Sequence, residues 1–95
     1  MLTLLVRYSF PSLDKRDAFL ADARNEGIGT ASRGEAGCLD YAYYLPARDT
    51  AELLLFEKWE SEAAQTSHRD TPHFARLAEI KAMYGAETEI RRYLE

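Results

Sequence analysis

The stretch that decides the fold is CLDYAYYL at Cys38–Leu45, PARD at residues 46–49 and ELLLFEKW at Glu52–Trp59. Both outer runs are rich in aromatic and aliphatic side chains, which favour strands, whereas proline and aspartate favour turns. The stretch therefore predicts a β-hairpin in the middle of the chain, and the remaining elements can be placed outward from it.

A strand and a helix precede the hairpin. The run MLTLLVRY at Met1–Tyr8 predicts a strand, which ends by Pro11 because proline cannot donate a ladder hydrogen bond. Ser12 is a suitable N-cap, and apolar residues at helical spacing continue to Gly27, a natural helix end. Residues 28–37 hold three more glycines and predict a bent connection, in which residues 30–33 could add a helical turn.

A broken helical region and a strand follow the hairpin. Ser61 can cap a helix, and Pro72 is a typical first residue of a new helix that ends at Gly85. The helical region is therefore expected to break near Asp70. The run ETEIRRYL at Glu87–Leu94 predicts a final, polar strand.

The order β-α-β-β-α-β predicts a single α+β domain of ferredoxin-like type over residues 1–95. Right-handed crossovers place the helices on one face of a four-stranded antiparallel sheet, with the first and third strands at its centre. Those two strands do not alternate apolar with polar residues, which indicates that both of their faces are dry. Because the helices cover only one face, a second copy of the chain is expected to cover the other, as a homodimer packed sheet to sheet.

Composition narrows the class of function. The chain carries 12 basic and 16 acidic residues, a net charge of -4, with no basic patch, so nucleic acid is not an expected partner. No apolar run reaches the roughly 18 residues that span a membrane, and Arg7 interrupts the apolar start where a signal peptide would continue. The single cysteine, Cys38, has no internal disulfide partner and is expected to be a small buried residue of a cytoplasmic protein.

Three motifs carry a resemblance to a known family. GEAGCLDYAYY at residues 34–44, LLLFEKWES at 53–61 and SHRDTPHF at 67–74 resemble the antibiotic biosynthesis monooxygenase (ABM) domain family in order and spacing. The resemblance implies a ferredoxin-like fold whose dimer forms a barrel from two sheets. It does not determine the reaction, because the same scaffold carries cofactor-independent oxygenases of phenols and quinols, haem-degrading enzymes and an isomerase of the phosphorylated autoinducer-2 signal.

Two candidate residues lie on the third strand and one on the first. The period of two places Glu57 and Trp59 on one face, and the resemblance implies that Trp59 faces a cavity between sheet and helices, either as core packing or as a wall for substrate. Arg7 is on the neighbouring first strand and is expected to face Glu57. The pair is interpreted either as a buried ion pair or, with Arg7 in a catalytic role, as an anchor for an anionic or phenolate oxygen.

Two histidines lie in the second helical region. His68 matches the family's recurrent histidine and is the candidate general base, because a neutral imidazole can take a phenolic proton at neutral pH; the alternative is a side chain that bridges the helix break. His73 matches the family's TPH segment and is more typical of a structural role. The candidates for substrate binding are Glu57, Tyr41, Tyr43, His73 and Phe74; the tyrosines could instead face the dimer barrel, and core packing is the default for an edge strand.

No metal or other cofactor is expected. A two-histidine-one-carboxylate iron site is rejected because Pro72 interrupts the helix between His68 and His73 and no third ligand has motif spacing. Haem degradation also fits poorly, because Arg7 stands where that branch of the family has an asparagine.

The leading hypothesis is a homodimeric, cofactor-independent monooxygenase that oxidises a small phenol or hydroquinone. His68 would remove the phenolic proton, Arg7 would hold the oxyanion, and Trp59 with a tyrosine would confine the ring while the anion itself reduces O₂. An isomerase of a small phosphorylated signal is the alternative, suggested by Arg24-Asn25 and SHRDTPHF, and it would need at least two basic groups at the cavity mouth. A non-catalytic ligand-binding protein is the third hypothesis, which a cavity filled by its own side chains would favour.

Overall fold

A computed structural model describes residues 1–95 and contains four strands and four helices. In chain order they are β1 (Leu2–Ser9), α1 (Leu13–Asn25), α2 (Ile28–Arg33), β2 (Cys38–Tyr44), β3 (Glu52–Trp59), α3 (Glu62–Arg69), α4 (Pro72–Tyr84) and β4 (Glu87–Leu94). The ferredoxin-like order β-α-β-β-α-β is confirmed, with each helical region divided into two helices.

The strands form one antiparallel sheet in the order β2-β3-β1-β4, so β1 and β3 are central as expected. The register aligns residues in rows across the sheet. In one row, Tyr41 pairs with Glu57, Glu57 with Leu4, and Leu4 with Arg92. Because directly paired residues of antiparallel strands point to the same face, this whole row contributes to one side of the sheet.

The helices cover one face of the sheet and leave the other open. Leu4 and Leu55 are buried beneath the helices, and they represent alternate positions along β1 and β3 that are all buried on that side. On the open face, Leu5, Leu54 and Phe56 are only half-buried. The open face of the two central strands is mixed: beside these three apolar side chains it carries polar and charged ones such as Thr3, Arg7 and Lys58, and a single chain leaves it uncovered.

Side-chain caps begin three of the helices. The hydroxyls of Ser12, Ser61 and Thr71 each accept a hydrogen bond from the backbone N–H three residues further on, which satisfies a donor that the first helical turn leaves free. Pro72 opens α4, where a missing N–H costs nothing. The break between α3 and α4 falls at Asp70, as the sequence predicted.

The connection after α1 differs from the expected bent loop. Residues 28–33 form the complete helix α2, and Gly27 before it adopts a left-handed conformation with φ of 69°. That conformation lets the chain turn directly from one helix into the next and is accessible to glycine at little cost. Ile28 and Ser32 are buried, and the Ser32 hydroxyl donates to the Ile28 carbonyl, so α2 is packed into the domain.

Two further expectations from the sequence concern Cys38 and membrane-spanning helices. Cys38 is half-buried and packs against the core, and burial raises the pKa of its thiol, which suits a small apolar residue better than a nucleophile. None of the four helices has the length and apolar character needed to cross a membrane.

Candidate active site

A cavity of about 360 Å³ lies between the sheet and the helices α3 and α4. Its lining mixes apolar side chains with groups that can hydrogen bond or exchange protons. The mainly apolar ones are Leu4, Val6, Tyr8, Phe74, Leu77 and Ile90, and the polar or charged ones are Tyr41, Glu57, Gln65, His68, Thr88, Arg69, Lys81 and Arg92. This volume is within the range of small-molecule sites.

A carboxylate holds the histidine at one end of this cavity. Glu35 Oε2 lies 2.6 Å from Nδ1 of His68 and 2.8 Å from Nε2 of His73. The His68 side chain is only 2% exposed and Glu35 is 15% exposed, so the contact is largely shielded from water. Because a carboxylate accepts hydrogen bonds, both ring nitrogens donate to the same oxygen.

The turn before β2 positions Glu35. Glu35 follows α2, and Gly37 two residues later has φ of 84° and packs directly on α3. A Cβ added at Gly37 would lie 2.7 Å from the Cβ of Ala64, so a larger residue would push the turn away from the helix. The backbone N–H of Glu60 donates to the Gly37 carbonyl at 2.8 Å and fixes the same approach. The glycine therefore brings Glu35 within reach of the histidine on α3.

The contact with Glu35 determines which nitrogen of His68 is available. With the proton on Nδ1, a neutral His68 carries no proton on Nε2, and the imidazole lines the cavity. Burial lowers the pKa of His68 below its ordinary value, and the hydrogen bond and charge of Glu35 oppose that effect only in part. The ring is therefore neutral at neutral pH and can act as a base.

A second titratable group lies across the cavity from the helices. Glu57 is buried, and its Oε1 accepts a hydrogen bond from Nε1 of Trp59 at 3.1 Å. Burial raises the pKa of Glu57 to about 7, the Trp59 hydrogen bond opposes the increase, and the charge of Glu35 adds to it. Glu57 therefore exchanges a proton near neutral pH while lining the cavity.

Tyr41 and Tyr43 differ in position although they share one face of β2. Tyr41 is fully buried and lines the cavity, and its ring lies 5.8 Å from that of His68. Its hydroxyl is buried without a hydrogen-bond partner, and burial raises its pKa, so it remains a protonated donor. Tyr43 instead packs against Phe19 and lines a recess beside α1 and α2. Of these two tyrosines, only Tyr41 can touch a molecule in the cavity.

The expected meeting of Arg7 and Glu57 is wrong. Arg7 lies on the open face of the sheet, 48% exposed, where it forms ion pairs with Glu89 and Glu52. The register explains the difference: Glu57 pairs with Leu4, whereas Arg7 pairs with Leu54. Since successive residues of a strand point to opposite faces, Arg7 and Glu57 lie on opposite sides of the sheet.

Trp59, His73 and Phe74 also have distinct positions. Trp59 is on the helix-facing side but is fully buried behind the cavity, with its ring 4.8 Å from His68. It contacts His68 and Glu57 rather than the open volume. His73 is held by Glu35 and does not line the cavity, whereas Phe74 does.

The sequence analysis found no third possible metal ligand, but the structure contains one. The ligand atoms of Glu35, His68 and His73 all lie within 4.8 Å of one another, a set of two imidazoles and one carboxylate. The sequence argument failed because Glu35 comes from a distant turn and not from the helical region of the histidines. The two N···O distances are those of charge-assisted hydrogen bonds. These hydrogen bonds are enough to hold the three side chains together without a metal ion.

Four further residues of the site were not assigned from the sequence. Glu35 was visible in the GEAG motif but received no role. The others are basic residues of the cavity wall: Arg69, Lys81 and Arg92, from α3, α4 and β4. No local pattern links these three positions, because the fold alone brings them to one cavity.

Comparison with known proteins shows which family the chain resembles. The family model for antibiotic biosynthesis monooxygenases matches residues 1–80. The uncharacterized protein sll1783 of Synechocystis is 33% identical over 87 residues, which cover 80% of this chain and 58% of that protein. Rv0793 of Mycobacterium tuberculosis, named as a proposed monooxygenase, is 44% identical over 64 residues, 67% of this chain and 60% of that protein. The chain thus spans less than two thirds of the length of these two relatives.

Solved structures share the complete fold. The structure of Rv0793 superposes with a TM-score of 0.80 and 27% identity, covering 100% of this chain and 95% of that chain. SnoaB from Streptomyces nogalater, a cofactor-independent oxygenase, superposes with a TM-score of 0.74 and 10% identity, covering 99% and 91%. At that identity the likeness to SnoaB concerns the fold alone.

Proposed function

Because the chain belongs to the antibiotic biosynthesis monooxygenase family, we propose that the cavity beneath α3 and α4 is the active site of a cofactor-independent monooxygenase. The substrate class is a small phenol or hydroquinone. The observation that carries the proposal is the hydrogen bond between Glu35 and His68, which leaves the unprotonated nitrogen of a neutral imidazole at the cavity.

His68 takes the phenolic proton in this scheme. Glu35 keeps the proton on Nδ1 and stabilises the imidazolium that forms when Nε2 accepts a second proton. The resulting phenolate is electron-rich and can transfer electrons to O₂ without an intermediary. One oxygen atom enters the ring to give a quinone, the other leaves as water, and the substrate supplies all the electrons that O₂ requires.

Tyr41 takes the oxyanion role that Arg7 cannot have from the open face. Its hydroxyl is a buried donor without a partner, next to His68, and a phenolate oxygen would satisfy it. Phe74 offers an apolar wall for the ring. Trp59 acts as a positioning residue, because it packs on His68 and donates to Glu57.

Oxygen uptake by chelator-treated protein tests the proposal. With hydroquinones of different ring substituents, the wild-type protein is expected to consume O₂ and release a quinone with no added metal or flavin. His68→Ala should lower the rate about 100-fold or more, the usual contribution of general-base catalysis. Glu35→Gln should lower it less, because the glutamine oxygen can still accept from Nδ1 but no longer stabilises an imidazolium.

His73→Ala is the matched control. It removes the other histidine on the same carboxylate, and since His73 does not line the cavity, the loss should be smaller than for His68→Ala. Absence of O₂ consumption with every quinol, or equal losses in both histidine variants, would contradict the assignment of His68 as base.

An isomerase of a small phosphorylated molecule is the second candidate. Its requirement for at least two basic groups is met by Arg69, Lys81 and Arg92 on the cavity wall. Arg24, which also suggested this class, lines a separate recess and does not support it. Such an enzyme would exchange a substrate C–H proton with solvent deuterium without consuming O₂, which proton NMR measures. The cavity can hold a ligand, which suits a non-catalytic ligand-binding protein as well as an enzyme; such a protein would neither consume O₂ nor exchange a substrate proton.

The active form in this proposal is a homodimer joined through the open face of the sheet. The half-buried Leu5, Leu54 and Phe56 on that face support it, because a covered apolar face is more stable than a wet one. Leu54→Glu should convert a dimer to a monomer in analytical ultracentrifugation. Leu13→Glu, at a 40% exposed position on α1, is the control and should not. A wild-type monomer at micromolar concentration would contradict this part of the proposal.

A further inference from the structure

Three basic side chains line the cavity. Arg92 belongs to the same row of the sheet as Glu57, with Leu4 between them, so it lies toward the β4 edge and away from β2. Arg69 at the end of α3 and Lys81 near the end of α4 line the same cavity from above. The three cations come from three elements and line one cavity, with Lys81 over the Tyr8 ring and Arg69 next to His68 in the chain.

Two of these cations have no acidic partner. Lys81 forms no ion pair, and its ammonium lies 5.0 Å from the centre of the Tyr8 ring. Arg69 donates only to the hydroxyl of Thr66 within its own helix. Arg92, by contrast, is paired with Glu62. Most basic side chains of the chain contact no carboxylate, so a missing acidic partner is not unusual in itself. What matters for Lys81 and Arg69 is that both line the proposed active-site cavity, where an anionic ligand can reach them.

Without a ligand, the charge of the half-buried Lys81 is energetically unfavourable. The side chain is half-buried on the cavity wall, and burial lowers the pKa of its amine, which shows that its charge is poorly solvated there. The aromatic face of Tyr8 compensates only in part. An anion in the cavity would supply the missing interaction.

We propose that the substrate carries an anionic group, a carboxylate or a phosphate, which Lys81 binds at the end of the cavity beside Tyr8, with Arg69 adding a second positive charge to the lining, while its ring reaches His68. The inference rests on the proposed function for the position of the ring but not for the binding of the anion. The apolar residues between the two ends, such as Val6 and Leu77, suit the body of a small aromatic acid. A macromolecular polyanion is too large for a cavity of about 360 Å³.

Calorimetric binding of unreactive probes under argon tests the inference separately from oxygen chemistry. The probes are 4-hydroxybenzoate, 4-hydroxyphenyl phosphate and the neutral 4-hydroxybenzamide, which matches the benzoate in shape. At least one of the two anions should bind about tenfold more tightly than the amide, because a charge-assisted hydrogen bond is worth about that factor at a partly exposed site. The tighter anion identifies the substrate group.

Variants then locate the anion. Lys81→Met keeps the packing of the stem, and both it and Arg69→Gln should weaken anion binding about five- to tenfold without changing the affinity for the amide. Lys15→Met, an exposed lysine on α1 that does not line the cavity, should leave all affinities unchanged.

Equal affinities for the anions and the amide would overturn the inference, as would failure of either anion to bind at millimolar concentration. Equal weakening of all three probes by Lys81→Met would also overturn it, because the lysine would then act through packing. None of these results depends on O₂ uptake, so the oxygenase proposal can survive them, and anion binding can persist if no quinol is oxidised.

Discussion

Replacement of Glu57 by glutamine separates the charge of this residue from its packing. The glutamine has almost the same shape, and its oxygen can still accept the hydrogen bond that Trp59 donates at 3.1 Å. What the change removes is an ionisable carboxyl in a buried position, 5% exposed. The consequence should therefore appear in the pH dependence of stability rather than in the structure.

The size of the effect follows from the pKa shift. Burial raises the pKa of Glu57 from 4.5 to about 7 in the folded protein. Because folding raises the pKa, the folded state binds the proton more tightly than the unfolded state. The stabilisation is complete below pH 4.5 and is lost as the pH rises through 7. A shift of this size corresponds to about 3 kcal/mol of unfolding free energy.

Urea denaturation of both proteins at pH 5, 6, 7 and 8, at one protein concentration, measures this difference. Relative to Glu57→Gln, the wild-type protein should lose about 2 to 3 kcal/mol of unfolding free energy over that range. Glu60→Gln, an exposed glutamate at the end of β3, is the control and should show no such trend. A difference between wild type and Glu57→Gln that does not change with pH would refute the raised pKa of Glu57.

Two other predictions concern the rate and the turn before β2. The plot of kcat/KM against pH should be bell-shaped, falling on the acid side as His68 is protonated below its ordinary pKa of 6.5, and on the basic side as Glu57 ionises near 7 and repels the phenolate. Glu57→Gln should abolish only the basic limb, and a limb that persists would contradict this role. Gly37→Ala should lower the unfolding free energy by about 1 to 3 kcal/mol, because its Cβ would lie 2.7 Å from Ala64 at a positive φ. Gly34→Ala, at negative φ with no contact under 3.5 Å, is the control in the same thermal unfolding measurement, and equal effects would exclude a steric origin.

The sheet could be predicted from the sequence because each of its features has a local signature. The aromatic and leucine-rich runs of the hairpin, the caps at Ser61 and Thr71, and Pro72 at the start of α4 act within a few residues of themselves. The expectation that both faces of β1 and β3 are dry agrees with the helix-covered face only, because the open face also carries Thr3, Arg7 and Lys58; its cover by a second copy stays a prediction. These signals were sufficient for the order, the central strands and the helix break.

The site could be predicted only in part, because it depends on register and on distant contacts. The candidates His68 and Glu57, which come from a motif and a strand period, line the cavity, and so does Tyr41, whose side the sequence left open; their roles stay predictions. Arg7 was predicted on the wrong face of the sheet. The period of a strand determines which of its own residues share a face, but it does not determine which residues of the neighbouring strand lie on that face. A shift of one residue in pairing moves a side chain to the other side of the sheet.

Glu35 shows a second kind of limit. It lies in a turn that has no periodicity, 33 residues before His68 and with the whole hairpin between them, and the close approach allowed by Gly37 brings the two side chains together. The sequence did not predict the three basic residues of the cavity, Lys81, Arg69 and Arg92, for the same reason: three different elements contribute one residue each. A cluster assembled by tertiary packing leaves no spacing in the sequence to detect.

The central claim is that the cavity removes the proton of a phenol through His68, held by Glu35. The most direct measurement is the O₂ uptake of His68→Ala with a hydroquinone, without and with imidazole added to the buffer as a replacement base. The rate should fall in the variant and be restored at least in part by imidazole, whose neutral form can take the phenolic proton. A variant as fast as the wild-type protein, or a loss that imidazole does not change, would contradict the claim.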